Sequence, residues 1–137
     1  MNDEIKQIGE DDLSYFTGTE HYYKFNWNTT ITDGVKFVID NCKCHWLISD
    51  ILTAWRFDNK LKAKYEDGNR FLIVEVKINH GDLKPNEPRV YYTMKEDTNT
   101  PVLYSQKYTY SDIHKYFKDG TIKFYLIDGV LILESEY

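Results

Sequence analysis

Residues 41–46 read Asn-Cys-Lys-Cys-His-Trp and hold both cysteines of the chain. Thiolate and imidazole are the ligands structural zinc prefers, usually four in a tetrahedron. Cys42, Cys44 and His45 could supply three of them. But Cys-x-Cys followed at once by His is cramped, and the fourth ligand would have to come from His21, His80 or His114, each remote in sequence. A disulfide between the two cysteines would close a small, strained ring, so the spacing supports redox chemistry no better. The residues therefore predict a structural role. Cys42 completes the apolar stripe of a helix as a small hydrophobe, and residues 43–45 form the joint into a second helix. No metal and no other cofactor is assigned; a module stabilised by metal on Cys42, Cys44 and His45 is the alternative.

Nucleophilic catalysis needs a nucleophile, a base and an orienting group in contact. Gly-x-Ser-x-Gly is absent, and Gly18 and Gly34 stand singly rather than in a phosphate-binding loop. Glu134 and Glu136 would share one face of a terminal strand, but acids at such a position read as solvated charge. No catalytic residue is assigned. Two segments mix polar and aromatic residues in a way that core packing does not require: "TGTEHYY" at 17–23 and "ESEY" at 134–137. Chain ends often lie close together at the surface. His21, Tyr22, Tyr23, Glu134, Glu136 and Tyr137 are thus the candidate binding residues. Aromatic contact area with negative charge suits a basic partner surface.

Elements must position these side chains. A chain of 137 residues fits one domain, with residues 1–13 expected as a flexible acidic lead and 14–137 as the domain. Tyr22 to Trp27 alternate as a strand with one buried face. Val35, Val38, Ile39 and Cys42 form one helical stripe, with Thr32 or Asp33 as the cap. Ile48, Ile51, Leu52 and Trp55 form a second, more deeply buried one. After Phe57 the period falls to two. "KLKAKY" at 60–65 reads as a strand that turns at "EDGN" into "RFLIVEVKIN", whose Leu72, Val74, Val76 and Ile78 share a face. Two further strands flank "EDTNTP", and residues 111–120 read as a loop or one short helical turn. Asp128-Gly129 closes a tight hairpin of the primed type. Helices segregated from strands predict an α+β fold: an antiparallel sheet of about five to seven strands, with a two-helix layer near the N-terminus packed on one face.

The chain also resembles a family of small bacterial and mobile-element domains of unknown function. The resemblance rests on "FTGTE" at 16–20, "TDGV" at 32–35, "HWL" at 45–47, "LYSQKYTYSD" at 103–112 and "DGVLILESEY" at 128–137, and covers about residues 15–137. Glu134 stands where the family pattern has a proline, and "SDIHKYF" departs from its phenylalanine-proline step. The resemblance implies the fold already read and imports no activity.

Composition narrows the function. Net charge is −5, with 17 basic against 22 acidic residues, which argues against direct nucleic-acid binding, where cations must displace counterions from phosphates. No apolar run approaches the length of a membrane span, and the acidic start is unlike a secretory leader. Two cysteines are no disulfide framework, so a reducing cytoplasm is expected. Tyrosines number 12, and tyrosine suits recognition surfaces. The expected function is a small, non-enzymatic protein-interaction module of phage or mobile-element origin that binds and blocks a host or defence complex. A homodimer is compatible with this composition. The alternative is a small enzyme or ligand binder with a pocket between helices and sheet, using His21 or His114 as a base.

Overall fold

A computed structural model describes residues 7–118 and 120–137, and of Trp27 the backbone alone. In chain order the elements are α1 (Glu10–Leu13), β1 (Tyr22–Lys24), β2 (Thr30–Thr32), α2 (Asp33–Cys42), α3 (His45–Phe57), α4 (Asn59–Asp67), β3 (Phe71–Ile78), β4 (Val90–Lys95), β5 (Tyr104–Tyr108), β6 (Thr121–Ile127) and β7 (Val130–Leu133), with 3₁₀ turns at Asn26–Asn28, Ile113–Lys115 and Glu134–Glu136. The fold is α+β. The sheet runs β1-β2-β7-β6-β3-β4-β5.

Alternation decides the two faces of the sheet. Leu72, Val74 and Val76 of β3, Ile122, Phe124 and Leu126 of β6, and Val90, Tyr92 and Met94 of β4 are fully buried. They join the helical stripes Val35, Val38 and Cys42 of α2 and Leu47, Ile48, Ile51 and Leu52 of α3 in one core. The opposite face carries Phe71, Ile73, Glu75 and Lys77 beside Thr121, Lys123 and Tyr125, in register across β3 and β6. No helix of the described residues is long and apolar enough to cross a membrane.

Four features differ from the sequence reading. The sheet is mixed: β2 pairs parallel with β7 while its other ladders are antiparallel. A parallel pair needs a long connection, and here most of the chain lies between the two strands. Second, β2 occupies residues 30–32, which the sequence reading left without an element ahead of the helix cap. Third, residues 60–65 are not a strand but part of α4, so the helical layer has three members. Leu61 and Tyr65 are both fully buried, whereas Ala63 is exposed. The pair satisfies a spacing of four as well as it satisfies alternation. Asp58 then settles the choice, because its carboxylate accepts a hydrogen bond from the Leu61 amide at 3.0 Å and caps the helix. Fourth, the acidic lead is docked from Ile8 onward. Ile8 forms a parallel bridge with Phe117, and Ile8 and Leu13 are both buried. The Thr121 amide donates to the Glu10 carboxylate at 2.8 Å. The expectation for residues 1–6 lies outside the described residues.

The "NCKCHW" stretch is a helix–helix joint. Lys43 ends α2 in the left-handed region at φ 53°, and α3 starts two residues later. Cys42 and Cys44 are both buried free thiols, and the Cys44 thiol donates to the Val38 carbonyl. Its contact with Cys42 and its burial hold the Cys44 thiol well above its ordinary pKa. His45 instead lies outside, its ring 4.8 Å from that of Phe25.

The closing hairpin has the expected turn, with φ of 49° at Asp128 and 81° at Gly129. A Cβ on Gly129 would meet nothing within 4 Å, so only the backbone penalty opposes substitution. Gly129→Val is expected to cost about 1–2 kcal/mol, read as a lower denaturation midpoint. A variant unfolding at the wild-type midpoint would contradict the turn.

Candidate functional site

The two polar-aromatic segments converge on the start of α2. That helix opens without a cap from its own N-cap residue, Thr32, so its first amides need partners from elsewhere. From the first segment, the Thr19 hydroxyl accepts the Asp33 amide at 3.2 Å and donates to the His21 carbonyl at 2.9 Å. Asp33 answers by accepting the amides of Glu20 and His21 at 3.1 and 3.0 Å. Its other oxygen accepts the Tyr23 hydroxyl at 3.0 Å. Phe16 packs on Phe37 with ring centroids 5.0 Å apart. The "FTGTE" motif is therefore a strap across the first turns of α2.

The second segment arrives from the other end of the chain. Glu136 accepts the Thr32 hydroxyl at 2.6 Å, the Gly34 amide at 3.1 Å and the Leu133 amide at 2.9 Å. A carboxylate against helix amides is favoured by both hydrogen bonding and the helix dipole. Gly34 permits this approach. A Cβ there would lie 2.5 Å from Glu136 Oε1 and 2.6 Å from Leu133 Cδ1. The "TDGV" and "SEY" motifs are thus two halves of one joint.

This geometry sorts the predicted residues. Glu136 is buried, so it leaves the contact surface; its charge faces the helix, not a partner. Tyr23 is half-buried, its hydroxyl taken by Asp33. His21 stays exposed, with Nδ1 3.6 Å from Asp33 Oδ2, beyond hydrogen-bond reach. Tyr22 and Tyr137 are 61% and 79% exposed. Tyr22 pairs with Thr32, and Tyr125 pairs with Ile132 and Ile73. Continuing the parallel β2–β7 register by one residue sets Tyr22, Thr32, Ile132, Tyr125 and Ile73 in one row on the face opposite the core. Tyr137 joins that face edge-on to Tyr125 at 5.4 Å and near Phe71 at 6.4 Å. Glu134 is exposed beside it, accepting from the Tyr125 hydroxyl at 3.2 Å and pairing with Lys123 at 3.2 Å.

Asp33 carries a pH dependence. Burial pushes its carboxyl up, but the amides of Glu20 and His21 and the Tyr23 hydroxyl more than offset this, so its pKa falls below the ordinary value of 3.8. A depressed folded pKa contributes stability above the unfolded value, and that contribution is lost as pH falls through the folded one. Wild type should therefore lose stability below about pH 4 more steeply than Asp33→Asn. Parallel acid titrations followed by circular dichroism would show it; superimposable curves would refute it.

The other proposed base, His114, sits on the 3₁₀ turn Ile113–Lys115, away from the joint. Its Nδ1 is buried without a hydrogen-bond partner. Burial, then the charges of Arg89 and Lys115, lower its pKa. Among the described residues no three His, Cys, Asp or Glu side chains converge as a metal would require.

The sequence reading missed a cleft of about 310 Å³ between the α2–α3 joint and the segment following β5, walled by Trp46, Tyr108, Tyr110 and Tyr116. Tyr108 is fixed there. Its hydroxyl donates to Asp50, which also accepts the Tyr92 hydroxyl at 3.1 Å, and Trp46 meets its ring edge-on at 5.0 Å. The available signal was the repeated tyrosine at 104, 108 and 110 together with Trp46. Nothing in linear spacing joined the two stretches.

No curated protein and no solved structure matches the chain. One family model does, described as a family of unknown function (DUF6876), and it matches residues 7–137. With the strap, the helix joint and the terminal carboxylate all inside that span, the chain belongs to this family of unknown function.

Proposed function

We propose that the protein is a non-enzymatic protein-interaction module that contacts its partner through the sheet face opposite the core. One observation carries this reading: Tyr22 and Tyr137, among the most exposed large side chains, lie on the same face as Tyr125 and Phe71. Exposed aromatic rings cost hydration free energy unless something covers them, and tyrosine is a favoured anchor at interfaces. Glu134 stands exposed beside Tyr125 on that face. With a net charge of −5 it would steer the module to a basic partner surface. On this reading the protein acts by occlusion, covering a surface of a host or defence complex, and its two free thiols suit the cytoplasm.

The test is a Tyr22→Ala/Tyr137→Ala variant, both sites being largely exposed. Circular dichroism should match wild type, while a partner captured by the tagged wild-type protein is lost. The same partner retained at wild-type yield by the double variant would overturn the reading.

A further inference from the structure

The aromatic cleft is independent of the sheet face opposite the core and has a chemistry of its own. Its floor is Cys42 and Ile113, both buried. Trp46, on the first turn of α3, is 39% exposed, and Tyr110 is 91% exposed. Two large rings left in water beside a concavity, with the Tyr108 ring held edge-on against Trp46, offer π-faces to a planar group. A volume of about 310 Å³ stands at the small end of ligand pockets.

Charge selects among planar groups. Asp112 in the lining is paired with Lys115 at 3.3 Å. Lys43, also in the lining, has no ion pair among the described residues. The left-handed conformation of Lys43 ends α2 and sets its side chain at the mouth of the cleft, where α3 begins with no acidic residue in its first turn and no side-chain cap. The charge at the rim is therefore positive on a protein that is acidic as a whole. Aromatic walls with a cation at the mouth fit a planar ring that carries an anionic group.

We propose that this cleft binds a nucleotide, its base stacked against Trp46 and Tyr110 and its phosphate on Lys43. Stacking on aromatic side chains tolerates any base, because every base has a π-face. Lys43 contributes as a point charge rather than through fixed geometry.

The test is a titration read on the Trp46 indole N–H resonance, assigned with Trp46→Phe. The probes are adenosine 5′-monophosphate, adenosine, inorganic phosphate and N-acetyltyrosinamide. Saturable shifts with the monophosphate are expected, with adenosine several-fold weaker and inorganic phosphate weaker still. Tyr110→Ala, at a site too exposed to disturb the fold, should weaken the monophosphate about tenfold. Lys43→Asn keeps a residue that tolerates the left-handed region and should weaken it about fivefold. The proposal is overturned if the monophosphate gives no saturable shift at millimolar concentration, or if adenosine binds as well. It is equally overturned if N-acetyltyrosinamide binds as tightly, which would make the cleft an anchor for a protein side chain.

Discussion

Glu136→Ala should lower the melting temperature by about 10 °C, and Glu136→Lys by more. The carboxylate accepts from the Thr32 hydroxyl and the amides of Gly34 and Leu133. Removing it leaves three buried donors without that partner, which costs on the order of 3 kcal/mol. A lysine there adds a cation beside the positive end of α2, where an anion is favoured. Gly34→Ala sharpens the test. Its Cβ would collide with both Glu136 and Leu133, costing about 1–3 kcal/mol in wild type. With Glu136 already alanine one of the two obstacles is gone, so the two substitutions should not add. Thermal unfolding of the four proteins in this cycle supplies the readout. A Glu136→Lys variant that melts with wild type would show that the carboxylate does not hold the helix.

Leu61→Ala is expected to cost about 2–5 kcal/mol, as deletion of a fully buried leucine does. Ala63→Lys should stay within about 0.5 kcal/mol, as surface substitutions do. The pair separates helix from strand. On a strand of alternating burial, positions 61, 63 and 65 would share the core face, and a lysine at 63 would be severely destabilising. On α4 position 63 points to solvent. Chemical denaturation of both variants decides it: a large loss at Ala63→Lys would restore the strand.

These two positions show where sequence was an adequate guide and where it was not. Leu61 and Tyr65 satisfy both periods, since a spacing of four fits one helix face and one strand face alike, and Ala63 with its flanking lysines completes the alternation. The deciding atom is the Asp58 carboxylate on the Leu61 amide, a capping signal readable in sequence but overridden by the alternation. β2 was hidden for a different reason. Three residues are too few to show a period, and its neighbour β7 lies at the other end of the chain.

Within the candidate site, "TGTEHYY" and "ESEY" stood out because neither period explains them. The expectation that they lie close together agrees with their shared anchorage on residues 32–34. What each residue does there was not legible. Glu136 reads as terminal charge because a carboxylate three residues from a buried strand gives no sign that helix amides lie opposite it. Gly34 reads as an isolated glycine because the side chains that require it arrive from residues 133 and 136.

What repeats locally was legible in the order of residues: the stripes of α2 and α3, the alternation of β3, and the left-handed turn at Asp128-Gly129. The helix joint was legible too, since the apolar stripe of α2 ends on Cys42 and that of α3 starts soon after it. The parallel β2–β7 pair, the docking of Ile8 on Phe117, the buried role of Glu136 and the meeting of Trp46 with Tyr108 became visible in the folded chain alone. Each of these joins residues tens of positions or more apart. Periodicity reports which face of an element is apolar, but not which distant element will cover it.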